Sequence, residues 1–227
     1  MTRIPALLVL LLVAAVAAAP AVARKSETER AQNAVRVLDE VMRTPDHRIP
    51  GSLLSKAEAI AVVPDVVKAS FVVGGRRGHG LISVRSADGT WSNPSFITLT
   101  GGSFGFQAGV QSTDVVLVFR SKRGVDSIIN GKFTLGADAA VAAGPVGRNA
   151  QAATDGQLKA EIYSYSRSRG LFLGVALDGT VLSINDEANR AVYGRGVTPR
   201  RIFEGGVDRV PDAVVAFRDH LEELPVD

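Results

Sequence analysis

Gly101-Gly102-Ser103-Phe104-Gly105 matches G-x-S-x-G, the pattern that places a serine nucleophile on a sharp turn between a strand and a helix. That chemistry needs a helix after the serine, with an acid and then a histidine later in the chain. After Ser103, however, Phe104, Phe106, Ala108 and Val110 alternate with Gly105, Gln107 and Gly109, the period of a half-buried strand. Only His220 lies downstream, on an expected terminal helix. Ser103 therefore reads first as a small strand residue, with a serine hydrolase as the alternative, and the chain is expected not to be an enzyme. His47, His79 and His220 are far apart, no cysteine accompanies them, and Asp178 and Asp186 lack the alternating ligands of a calcium loop, so no metal or other cofactor is expected.

Anion binding fits the residues better. Gly144-Pro145-Val146-Gly147-Arg148 has glycines that free backbone N–H groups and an arginine that offers a bidentate fork, although no Gly-Lys-Ser/Thr makes it a P-loop. Its plain alternative is a tight turn with a solvated arginine. Arg120, Lys122, Arg123 and Lys132 face only Asp126 as a local counter-charge, and Arg76-Arg77 and Arg167 with Arg169 are expected at other hairpin ends. A basic residue near an anionic bilayer is worth about 1 kcal/mol, so several on one face would hold a membrane surface where two would not. A scattered, solvated set of charges is the alternative.

These residues need a scaffold. Ser26 and Glu29 are spaced as a capping box, and Ala31, Ala34, Val35, Leu38, Val41 and Met42 follow as an apolar helical stripe ending before Pro45. The mixed charges on its polar face favour core packing over membrane insertion. Ser52 is expected to cap a short helix, Ala59 to Val63 reads as a strand stopped by Pro64, and Val66 to Val73 as another. Gly74 to Gly80 reads as a flexible basic loop, followed by a strand from Leu81 and an Asp88-Gly89 hairpin turn. Ser103 to Val110 and Val115 to Phe119 are expected to pair across a turn at Ser112 to Asp114. Gly105 and Gly109 leave one face of that hairpin bare, as a curved sheet or a closely packed neighbour requires.

Farther on, Lys122 to Asn130 forms an amphipathic helix, and Lys132 to Ala143 resumes as strand. The segment from Leu158 to Arg167 puts Tyr163 and Tyr165 on one face. Leu171 to Leu177 and Val181 to Ile184 are expected to pair around Asp178-Gly179, echoing the turn at Asp88-Gly89 by coincidence or duplication. Asp186 to Val192 is a short helix, and Val210-Pro211 opens a last one bearing Val214, Phe217, Leu221 and Leu224. The expectation is one α+β domain: a curved antiparallel, glycine-rich sheet, barrel-like, with helices at both ends.

Several of these blocks in this order resemble the SYLF domain family: Gly101-Gly102-Ser103-Phe104-Gly105, Thr113-Asp114-Val115-Val116-Leu117-Val118, Leu135-Gly136, Ala142 to Arg148 and Tyr163 to Phe172. The likeness runs from about Ser52 to Tyr193. It implies a lipid-binding module, since eukaryotic members bind phosphoinositide membranes, often beside an SH3 domain, while exported bacterial members have no agreed reaction. On this reading Arg76, Arg77, Arg120, Lys122, Arg123, Lys132, Arg148, Arg167 and Arg169 are the candidate lipid contacts, and a structural role with an envelope protein partner is a further alternative.

Composition sets the surroundings. Residues 1–23 read as a signal peptide, with Arg3, the apolar run Ala6 to Ala19 and the small-x-small sequence Ala21-Val22-Ala23, leaving residues 24–227 as the domain. The apolar run is short for a bilayer span, and no cysteine follows to carry a lipid anchor. An exported protein, periplasmic or extracellular, peripheral to the envelope and without disulfides, is expected. The net charge of +3 falls to +2 without Arg3, too mild for a nucleic-acid binder, and aromatic side chains are few and not interleaved with basic runs.

Overall fold

The computed structural model describes residues 26–43, 48–70, 73–104, 109–146, 159–168, 171–174 and 177–225. The expected signal peptide therefore lies outside the described residues, as do His47, Phe106, Gly105, Arg148 and Arg169.

Helix α1 (Glu27–Arg43) starts as its capping box requires: the Glu29 amide donates to Ser26 Oγ at 3.2 Å and the Ser26 amide to Glu29 Oε2 at 2.8 Å. Its stripe of Ala31, Ala34, Val37, Leu38 and Val41 is fully buried, so the helix packs into the core. Helix α2 (Gly51–Leu54) follows, with Pro50 rather than Ser52 at its N-cap. Ser52 lies inside the helix, where its carbonyl accepts from Ser55 Oγ.

The centre of the molecule is a sheet of nine strands among the described residues. Four long strands, β1 (Ala59–Ser70), β2 (Val73–Val84), β3 (Ser95–Phe104) and β4 (Gly109–Phe119), lie in the order β3-β2-β1-β4. Next to β3 comes β9 (Thr180–Ile184) and then β5 (Lys132–Thr134); next to β4 comes β7 (Ile162–Ser168), which carries both β6 (Val141–Ala143) and β8 (Leu171–Gly174) on its far side. All pairs are antiparallel except β6 with β7. The α+β class, the glycine-rich antiparallel sheet and the flanking helices are as the sequence implies.

Two cores follow from strand alternation. One face, here the α1 face, buries Ile60, Val62, Leu81, Phe96, Val116, Val118, Tyr163 and Tyr165 under α1, α2 and the last helix, α6 (Asp212–Glu222), whose Val214, Phe217 and Leu221 are buried. The opposite face buries Val63, Val66, Ile82, Leu99, Leu117, Phe119 and Leu182 under α3 (Lys122–Ile129). Gly124 lets α3 come close: a Cβ there would stand 3.3 Å from the Phe119 ring. Two more helices complete the chain, α4 (Asp186–Tyr193), capped by Asn185, and α5 (Pro199–Phe203), capped by Thr198.

Several local expectations are corrected. Pro64 does not end a strand; β1 runs through it as a bulge in which Pro64 and Asp65 oppose the single residue Asp114. Proline has no amide to lose at a bulge, and Asp65 takes a φ of 51° there. Gly74 to Gly80 is not a loop but the body of β2, because the tightly apposed β1 needs residues without side chains: a Cβ on Gly80 would lie 2.1 Å from the Val62 carbonyl oxygen. Ser112 to Asp114 is not a turn but the interior of β4, and β3 and β4 are not neighbours. Strands β8 and β9 do not pair either, so the turn at Asp178-Gly179 joins two separate parts of the sheet. The turn at Asp88-Gly89 does connect the paired strands β2 and β3.

Candidate functional site

The expected cations fall into three environments. Arg167 is committed to the fold. On the α1 face of β7, its Nε and Nη2 donate to Asp114 Oδ2 at 2.9 and 2.6 Å, and its Nη1 pairs with Glu40 of α1. Asp114, itself buried, also accepts the Asp65 amide at 3.0 Å, and Glu40 is shared with Arg36 at 3.0 Å. Burial, with Arg36 nearby, pulls the Arg167 guanidinium below its ordinary value. This arrangement clamps α1 to the bulge; the fork that a phosphate would need is already filled.

Arg120, Lys122, Arg123 and Lys132 lie along one corner built by α3 and β5, Lys122 and Arg123 at the start of the helix and Lys132 beyond its end. Arg120 follows β4, Lys122 and Arg123 open α3, and Lys132 opens β5, which packs on α3. Val125 and Ile128 turn the apolar side of α3 inward, leaving Lys122, Arg123 and Lys132 exposed and Arg120 half-buried. The nearby carboxylates are Asp126, exposed, Glu58, 4.0 Å from Lys122, Glu161, which accepts from Ser121 Oγ at 2.8 Å, and Asp138, which accepts from the Thr134 amide at 2.6 Å. Lys122, Arg123 and Lys132 are exposed cations held on the rigid elements α3 and β5.

Arg76 and Arg77 are adjacent in β2 and so point to opposite faces. Arg77 is on the α1 face; Arg76 is on the α3 face, where it lies over Gly101. No single surface can use both. Arg148 and Arg169 lie outside the described residues. The start of the Gly144-Pro145 segment has a packing role: a Cβ on Gly144 would stand 2.1 Å from Tyr165 Cζ, so the Tyr165 ring lies against bare backbone. Tyr165 Oη donates to the Pro145 carbonyl at 3.4 Å.

Ser103 sits in β3 opposite Gly74, and the next described element is another strand, not a helix. His220, on α6, faces Asp39 of α1 at 3.2 Å and Glu223 at 4.0 Å. Among the described residues the strand–turn–helix context of a nucleophile elbow is not seen. His79 lies on the α1 face of β2 beside Thr98 and Asn185, at 3.2 and 3.4 Å. A cleft of about 610 Å³ between the start of α1, α4 and residues 209–211 is lined by Glu27, Glu187 and Arg209 among others, but Glu27 is engaged by Arg30 at 2.8 Å. No helix among the described residues is long and apolar enough to cross a membrane.

Sequence reading missed Lys68, which lies directly opposite Arg76 on β1. The alternation that marks its face is interrupted by the bulge at Pro64-Asp65, so its register could not be counted from the sequence. It also missed α5, whose signal was Thr198-Pro199, a cap followed by proline at the first helical position.

The family model described as Ysc84, Las17-binding protein actin regulator, matches residues 100–224. Protein YSC84 of Saccharomyces cerevisiae is 39% identical over 194 residues, covering 83% of this chain and 41% of its own length. LAS seventeen-binding protein 3 of the same species is 37% identical over 195 residues, covering 84% and 42%. The human SH3 domain-containing YSC84-like protein 1 is 35% identical over 192 residues, covering 83% and 56%. The chain thus spans about half the length of the curated relatives it matches, and with a family match over more than half of its own residues it belongs to the Ysc84 (SYLF) family.

Proposed function

We propose that this chain is a non-enzymatic module that is exported, loses residues 1–23, and binds anionic phospholipid at the cell envelope. The observation that carries this reading is that Lys122, Arg123 and Lys132 stand exposed on α3 and β5, with Arg120 half-buried beside them. With about 1 kcal/mol for each cation at an anionic surface, such a group binds weakly alone and usefully as a set. Arg167, by contrast, is assigned to the fold.

The test is co-sedimentation of the purified protein with phosphatidylcholine vesicles with and without phosphatidylglycerol, at low and high salt. Binding should require the anionic lipid and fall with salt, since screening shortens the reach of exposed charges. The double variant Arg123→Glu/Lys132→Glu should bind about thirty-fold more weakly or worse, from the loss of two cations alone. Equal sedimentation with neutral and anionic vesicles at low salt would sink the proposal. Export is tested by the intact mass of the protein recovered from the envelope fraction, which should begin at Arg24.

A protein partner is the second reading, favoured by the relatives named as Las17-binding or LAS seventeen-binding. Cross-linking in intact cells that captures one defined protein, together with no vesicle binding, would replace the first reading with this one.

A further inference from the structure

On the α3 face the strand register lines up one row of side chains across the sheet: Gln111 of β4, Lys68 of β1, Arg76 of β2, Gly101 of β3 and Thr180 of β9. The row one step inward contains Val66, Leu99 and Leu182, all buried in the core. The polar row therefore begins where that core ends. Two of its features have no explanation in the fold itself.

Lys68 and Arg76 are directly opposite each other on paired strands, an arrangement that destabilises a sheet when both are charged. Among the described residues neither has a carboxylate partner. Arg76 Nε and Thr180 Oγ1 are both buried without a hydrogen-bond partner, and Thr180 is 0% exposed. A buried donor left unpaired costs about 1–3 kcal/mol, so two together call for an acceptor. The Arg76 stem and Thr180 Oγ1 meet over Gly101, where a Cβ would be crowded 3.2 Å from each.

We propose that Lys68, Arg76 and Thr180 form a binding site for a phosphate group, entered when the Arg76 side chain lifts off Gly101. A tetrahedral phosphate has several acceptor oxygens with which to bridge donors on three strands. It accepts from the Arg76 Nε–H and the Thr180 hydroxyl, and its charge removes the repulsion between Arg76 and Lys68. The half-exposed Arg76 and Lys68 form the solvent side of the site, and the buried threonine its inner wall. The site uses none of the residues of the α3–β5 corner and stands or falls apart from it.

The test is titration of the purified protein with inorganic phosphate, against chloride at matched ionic strength, following the Arg76 Nε–H and Thr180 methyl resonances and the melting temperature. Phosphate should shift both resonances saturably and raise the melting temperature, and chloride should do neither. Thr180→Val, which keeps the shape and removes the hydroxyl, and Arg76→Gln should each weaken phosphate binding at least ten-fold. In phosphate-free buffer Arg76→Gln should melt no lower than the parent protein, because it relieves a repulsion. If that variant does not fold, Thr180→Val decides. Two further arms separate the sources of the phosphate: sn-glycerol 3-phosphate in solution, and phosphatidylcholine vesicles containing phosphatidic acid. Saturation by the first alone assigns a soluble phosphate ester, and response to the second a lipid headgroup; either supports the site. Arg123→Glu/Lys132→Glu should leave the inorganic phosphate response unchanged. No phosphate-specific shift in any arm, or undiminished binding by Thr180→Val, overturns the proposal.

Discussion

Asp114 of β4 ties together β1, β7 and, through Arg167, α1. Its carboxylate receives the Asp65 amide at the β1 bulge and two N–H groups of Arg167 from β7, and Arg167 passes the connection on to Glu40 of α1. The ordinary way to remove a partner from such a cluster is costly, since it leaves a buried charge uncompensated. Arg167→Ala should therefore destabilise the protein by about 2–3 kcal/mol, below the fully buried range because the Arg167 side chain is 23% exposed and Asp114 keeps its amide donor. Urea unfolding measures this, and vesicle binding by the folded variant should be unchanged; a selective loss of binding at unchanged stability would return Arg167 to the lipid contacts. Gly144 makes a sharper steric demand. In Gly144→Ala the new methyl would have to displace the Tyr165 ring, and overpacking of this kind costs about 1–3 kcal/mol. A melting temperature equal to the parent's would mean that the ring moves aside freely.

At the scale of elements, what could be read from the sequence was what depends on neighbours a few residues apart. The capping box of α1, the apolar side of α3 and the helical spacing of Val214, Phe217 and Leu221 in α6 are local patterns, and the structure contains all three. Pairing partners are not local. The turn at Asp178-Gly179 has the chemistry of a hairpin, with Gly179 at a φ of 71°, yet β9 pairs with β3 and β5 while β8 pairs with β7. Turn residues specify a change of direction; which strand is then met is set by burial over the whole sheet. Pro64 misled for the same reason, since its missing amide is harmful in a regular ladder and harmless at a bulge whose next amide, that of Asp65, is met by a side chain 49 residues later. The candidate site divides along this line as well. The cluster of Arg120, Lys122, Arg123 and Lys132 is close in sequence and stays together on α3 and β5, whereas the relation of Lys68 to Arg76 and Thr180 exists only through strand register.

At the scale of the molecule, the sheet separates two apolar layers, and two tyrosines tie loops to the α1 layer by hydrogen bonds that require their protons. Tyr165 Oη donates to the Pro145 carbonyl and Tyr193 Oη to the Pro94 carbonyl at 2.5 Å. Burial raises the pKa of both phenols well above the usual tyrosine value; Tyr163 adds to the effect on Tyr165, and Arg218 opposes it on Tyr193. The folded state thus holds these protons more tightly than the unfolded chain, whose tyrosines ionise near pH 10. Their contribution is complete below that pH and is lost as pH rises, by about 1.4 kcal/mol per pH unit for each tyrosine until the folded phenols themselves ionise. Urea midpoints should accordingly be insensitive to these groups at pH 8 and fall steeply between pH 10 and 11 (~1 unit above the unfolded value). Lysines also titrate in that range, so the comparison that isolates the phenols is with Tyr165→Phe/Tyr193→Phe, which should lose most of the alkaline slope while remaining folded. A double variant with the parent's slope would show that the two buried hydroxyls do not set the alkaline limit of this fold.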